Sequence, residues 1–201
     1  METAFNSDVL REQLNELAAQ WQLAFGASCC ERLLPNYLAF NIDAKWGNFA
    51  PIREALDLVW SSLEGHAYDR DTVQKLITIC ENVAPDSEDF TSLYVSFAQD
   101  ACFSVCGLLD FLLKNDVKEI VQAATYAMSS VDLFVQELEN MRPNDPDLEL
   151  KILSHPLMQR ELEKQRVDLE RITNTSVLDT VFLSQLRSES GNNGKSNLNL
   201  P

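Results

Sequence analysis

The residues best suited to chemistry in this chain are few and poorly matched to one another. It contains two histidines, His66 and His155, and five cysteines. Di-iron carboxylate bundles place a Glu-x-x-His pair on each of two helices. Here His66 follows Glu64 and His155 precedes Pro156, so neither completes that spacing. Cys102 and Cys106, four residues apart, could share a tetrahedral metal with Cys29 or Cys30, but small buried hydrophobes is the simpler role for thiols in apolar segments. A nucleophile at Cys30 or Cys106 needs a base beside it, and neither histidine has a sequence link to them. The chain also lacks any G-x-x-x-x-G-K, G-x-G-x-x-G or G-x-S-x-G string, hence the phosphate cradles and nucleophile elbows that those strings build. No catalytic, cofactor-binding or metal-ligating residue is assigned on these grounds.

A second kind of chemistry is carried by ionisable residues placed where helical periodicity predicts burial. Trp21, Phe25, Ser28, Cys29 and Arg32 share one helical face, while Leu23, Ala24, Ala27, Cys30, Glu31 and Leu34 line the other. A helix apolar on both sides is central, and its charges need partners. Further on, Ser96, Asp100, Ser104, Gly107 and Phe111 form a stripe of mostly small residues backed by Cys102, Cys106, Leu109 and Leu113. Arg32 cannot shed its proton, so a buried position demands a counter-ion. Asp100 is the expected partner and Asp57 the second choice, since Asp57 has Arg53 one turn away. With Glu31 and Tyr37 these define a candidate buried polar cluster, Glu31, Arg32, Tyr37, Asp57 and Asp100. It is either a structural ion-pair network or a polar pocket.

The elements that must position these residues read as helices throughout. Gly 6 and Pro 7 are low for 201 residues, and no strand-like alternation is found. Helices are expected from Asp8 toward Leu17, then on to Leu34 with a break before Pro35, and as a short piece over Asn36 to Trp46. Pro51 opens a helix to Leu63, and Asp69 caps one that ends at Val83. The most apolar segment runs from Phe90 or Leu93 to about Lys114. Asp116 and Glu119 resemble a capping box for a helix whose Val117, Val121, Ala124, Met128, Val131, Val135 and Leu138 alternate spacings of four and three. A short helix over Asp147 to Leu153 and a mixed-charge one from Pro156 to Arg171 follow, with a kink at Thr173 to Ser176. The fold class is all-α, a single-domain helical bundle of about seven or eight helices over residues 1–187. Residues 188–201, rich in Ser, Asn and Gly, form a polar C-terminal tail of disordered composition.

A formal charge of -15 opposes phosphate backbones and anionic membranes, so neither nucleic acid nor membrane is an expected partner. The N-terminal METAFNSDVLREQ has no leader pattern and no apolar stretch is read as membrane-spanning, which points to the cytoplasm. An odd number of cysteines in apolar segments points to reduced thiols.

Several strings carry a resemblance. CERLLPNY holds Cys30, Glu31, Arg32, Pro35, Asn36 and Tyr37; LDLVW holds Leu56, Asp57, Leu58 and Trp60; Asp100, Ala101 and Cys102 follow, and then Ser196, Asn197 and Leu198. With these the chain resembles the YjaG-like proteins, a bacterial family of unknown function, over nearly its whole length. The resemblance implies an all-helical bundle without an assigned activity, ending in a Ser-Asn-apolar pattern, with Asn199 where glycine is expected. The expected function is that of a non-enzymatic cytosolic helical protein acting through a protein partner or as a homo-oligomer. The alternative is a small-molecule binder or enzyme with a buried polar site around Arg32 and Asp100. A third idea is an acidic surface that mimics nucleic acid toward a basic protein.

Overall fold

The structure is a computed structural model in which residues 5–200 are described. Residues 1–4, part of the N-terminal stretch read for a leader, and Pro201, the end of the tail, lie outside them. Among the described residues there are nine α-helices, a single 3-10 turn and no strand: α1 (Ser7–Asn15), α2 (Ala19–Ala44), α3 (Phe49–Leu63), α4 (Arg70–Val83), α5 (Val95–Lys114), α6 (Val117–Leu138), α7 (Leu148–Ser154), α8 (Pro156–Asn174) and α9 (Thr180–Ser190), with the turn at Asn192–Gly194. The all-α expectation stands, with more helices than the seven or eight expected. The stretch after the Thr175 to Leu178 connection is a separate helix, capped at its start by Asp179, whose side chain accepts from the Phe182 amide.

Sequence signals place the starts of α4, α6 and α8 and the ends of α3, α4, α5 and α6 to within a residue, whereas α1 stops short of Leu17, α3 starts before Pro51, α5 starts only at Val95 and α8 runs past Arg171. Asp69 accepts from the Thr72 amide and Asp116 from the Lys118 amide, each satisfying a donor that the first turn leaves free. At α1 the cap is Asn6, whose side chain accepts from the amides of Asp8 and Val9, and Ser7 is already helical. Pro35 is the clear departure. The chain runs as one helix of 26 residues through it, although proline supplies no amide to the carbonyl of Glu31. Both flanks of α2 are buried around that position, with Leu33, Leu34, Asn36, Tyr37 and Phe40 all packed. Side-chain burial on every face outweighs the local cost of the ring.

α2 is the axis of the bundle and packs against α3, α5, α6, α8 and α9. It packs tightly at Gly26, where an added Cβ would lie 2.6 Å from the Leu108 side chain and 3.0 Å from that of Ile120. α5 is long and apolar enough to cross a membrane by length and composition, contrary to the expectation that no segment approaches that length. Its apolar residues are used in the core: Phe97, Ala101, Cys102, Val105, Leu108 and Leu109 are all fully buried between α2, α4 and α6. All five thiols are unpaired, Cys29, Cys30, Cys80 and Cys102 buried and Cys106 half-buried.

Candidate functional site

Glu31 and Arg32 are neighbours in α2, and their side chains leave it toward different helices. Arg32 is 4% exposed and reaches α8. Its guanidinium meets Glu161 through Nε, 3.2 Å from Oε2, and through Nη2, 2.9 Å from Oε1, while Nη1 donates to Asp168 Oδ2 at 3.0 Å and to the Ser28 carbonyl at 2.9 Å. This is the planar fork used against two carboxylates at once. Asp168 also pairs with Lys164, and Gln165 donates to Glu161 Oε1 at 3.0 Å and to the Ala124 carbonyl at 3.1 Å. Two cations and two carboxylates therefore close on each other without net charge.

Glu31 turns instead to α3 and α9. Its carboxylate takes Arg53 Nη1 at 2.7 Å and Nη2 at 2.9 Å, and Arg187 Nε at 3.0 Å. Asp57 bridges the same two arginines, with Arg53 at 2.9 Å, and Arg187 lies over the Trp60 ring, 5.8 Å from its centroid. The local Arg53 partner foreseen for Asp57 is present.

The remaining two candidates stand apart from both groups. The Tyr37 hydroxyl donates to the Val83 carbonyl at 2.8 Å and accepts from the Asn48 amide at 3.0 Å, fastening the ends of α3 and α4 to α2. Burial pushes that hydroxyl up to about 12, so it stays protonated. Gly47 beside it has φ +94, and a Cβ there would fall 2.4 Å from the Tyr37 oxygen. Asp100, the expected partner of Arg32, does not meet it. Its Oδ2 accepts from the Ser130 hydroxyl of α6 at 2.7 Å, and burial pushes the carboxyl up to about 6, only partly offset by that bond. The pairing expected between α2 and α5 fails because those helices approach through small and apolar residues, with α8 lying over the Arg32 face.

The partners missed in the sequence are Glu161, Gln165 and Asp168. They had a signal: Met158, Glu161, Gln165, Asp168 and Ile172 alternate spacings of three and four, and all five are buried. A polar core stripe in a highly charged helix is hidden by the charges around it. The tail was also misjudged by composition. Ser196, Asn197 and Leu198 are buried, with the Asn197 amide donating to the Arg32 carbonyl at 3.0 Å, its Nδ2 to the Ala127 carbonyl at 2.9 Å, and its Oδ1 accepting from Asn36 Nδ2 at 3.1 Å. Asn199 has φ 63, the left-handed conformation in which asparagine substitutes most readily for glycine.

Chemically these groups hold the helices together. Burial pushes the Cys29 thiol up to about 12, which keeps it from being a thiolate. Among the described residues no group of three or more His, Cys, Asp and Glu side chains is placed to hold a metal ion. His155 caps α8 by accepting from the Leu157 amide at 3.2 Å.

A large concavity lies elsewhere, as a groove of about 1070 Å³ between α1 and α8. Val9, Leu17, Leu162 and Leu169 supply its apolar surface above the buried Leu10 and Phe25, and Glu16, Glu163, Arg166 and Glu170 its polar edge. No local pattern of residues hints at it, because it exists only where two helices distant in the chain face each other.

Residues 9–200 match a family described as "Protein of unknown function (DUF416)". The chain belongs to this family. Among its relatives, the uncharacterized protein YjaG of Escherichia coli (strain K12) is 24% identical over 187 residues, 92% of this chain and 93% of that protein. The protein of the same description from Salmonella typhimurium (strain LT2) is 25% identical over the same shares. A crystal structure of a DUF416 family protein from Shewanella baltica OS155 superposes with a TM-score of 0.86, at 24% identity, over 98% of both chains. The likeness to that structure establishes the fold, and the resemblance carried by CERLLPNY and the tail is confirmed at the level of the family.

Proposed function

We propose that this protein is a non-enzymatic cytosolic module that works by holding a protein partner in the groove between α1 and α8. One observation carries the proposal: the charged residues that promised a pocket are engaged with one another, whereas apolar surface is left open between two helices. Arg32, Glu161, Lys164 and Asp168 face inward and are paired, and none of Arg32, Lys164 and Asp168 lines the groove. Leu162 and Leu169 are only half-buried on the neighbouring side of the same helix, and Val9 across from them is 49% exposed. Apolar area left on one face of a helix is stabilised by being covered.

Placing a photo-crosslinking amino acid at Gln13, an exposed groove position, tests this in cells, with exposed Lys75 on α4 as the control. Discrete crosslinked protein species from position 13 and none from position 75 are expected. Equal or absent crosslinking at the two positions would sink the proposal.

A further inference from the structure

The groove carries information about its occupant, and the following inference rests on the reading of it as a protein-binding site. Along α1 and its two caps, Asn6, Val9, Gln13 and Glu16 follow one another at spacings of three and four; on α8, Leu162, Arg166, Leu169 and Thr173 do the same. Each wall is thus one continuous helical face rather than a scatter of loop residues. The α8 wall from Gln159 to Asn174 is roughly 22 Å long, about four helical turns. Two such walls over an apolar floor are the shape that receives a third helix lying along them, its own apolar stripe downward.

The charge of the rim selects among helices. Glu16 stands on the α1 wall, and Glu163 and Glu170 on the α8 wall. Among the described residues lining the groove the cation is Arg166, already bonded by both α8 carboxylates, Glu163 at 2.7 Å and Glu170 at 2.9 Å. The rim therefore presents net negative charge on both sides of an apolar strip. A second copy of this chain, itself at -15, would bring like charge to that rim. We infer that the occupant is a basic amphipathic helix of another protein, with leucine-like residues at i, i+3, i+4 and i+7 and lysine or arginine flanking them.

The test uses a fluorescent synthetic helix of roughly 15 residues, matched to the ~22 Å wall, with leucines on one stripe and lysines elsewhere. One comparison peptide replaces every lysine by glutamate, and another scrambles the lysine peptide. Anisotropy titrations with the full chain should show the lysine helix binding about tenfold or more tightly than either comparison peptide, with weakening in salt. Val9→Gln, which removes apolar surface without adding charge, should weaken it by a similar factor, and E163K/E170K, at two exposed positions, should shift preference toward the glutamate helix. Equal binding of the lysine and glutamate peptides, or of the scrambled one, would overturn the basic-helix inference; if Val9→Gln still weakened all binding, the groove reading would survive it. Binding indifferent to Val9→Gln would remove both. Failure of the lysine helix to bind, or a dimer in sedimentation that Val9→Gln dissolves, would also overturn the inference, the latter giving the groove to a second copy.

Discussion

At the seam between α2 and α8, a guanidinium, an ammonium and two carboxylates lie within hydrogen-bond reach of one another, while at the seam between α5 and α6 one carboxylate, Asp100, finds among the described residues the hydroxyl of Ser130 and no cation. Both places bury charge, but they solve it differently. Arg32 keeps its charge because opposite charge surrounds it, and the seam is strong only while every member is present. Asp100 lacks a cation, so its charged form is penalised and its carboxyl holds its proton into mildly acidic solution. A periodicity that predicts burial of a charge does not tell these situations apart; the identity of the facing helix does.

The largest loss is expected at Arg32. Arg32→Met strands Glu161, and Glu161→Gln strands part of the guanidinium, so each should lower unfolding free energy by about 3 to 5 kcal/mol. The double variant should lose much less than the sum, as denaturant titration will show. Arg32→Met combined with Asp100→Asn should instead be additive, since the two residues do not meet. Strong coupling between them would return Asp100 to the cluster.

A middle-sized effect is expected at the tail. Asn197→Ala leaves the Ala127 carbonyl and Asn36 Nδ2 without their partner, at about 2 kcal/mol from unmade buried hydrogen bonds. The same variant should accelerate hydrogen exchange from Ser196 onward. Unchanged protection there would mean that the backbone bond to Arg32 holds the tail alone.

The smallest effect has the opposite sign. The folded carboxyl of Asp100 titrates near 6, above its ordinary value of 3.8. Between those two values the folded protein binds more protons than the unfolded chain, so stability falls as pH rises through the window and the full penalty is present above about 6. Asp100→Asn removes the charge and should stabilise by about 1 to 2 kcal/mol at pH 7, or a few degrees in Tm, with the gain vanishing near pH 4. A loss of stability at pH 7 would show that the Ser130 bond outweighs desolvation.

Much of the candidate site was legible as single residues. The burial of Arg32 and Glu31 followed from the two-sided apolar pattern of α2, and the Arg53 and Asp57 pair from their spacing of four. The long-range partners were not. Arg32 meets Glu161 and Asp168 across 129 and 136 residues, and Glu31 meets Arg187 across 156. No local period links positions so far apart. The tail misled for a related reason: Ser and Asn are soluble in isolation, yet Asn197 becomes a core residue because α2 and α6 present it with two backbone carbonyls and the Asn36 amide to bond.

Caps and periodicity act within a few residues, and they were enough to read the chain as helical, to bound α4 and α6, and to place Glu31 and Arg32 on buried faces. That α2 runs through Pro35, that Asp100 and Arg32 part company, and that α1 and α8 leave a groove between them are outcomes of helix docking. Those outcomes depend on which surfaces meet, and a surface is complementary only once the helix opposite it has docked.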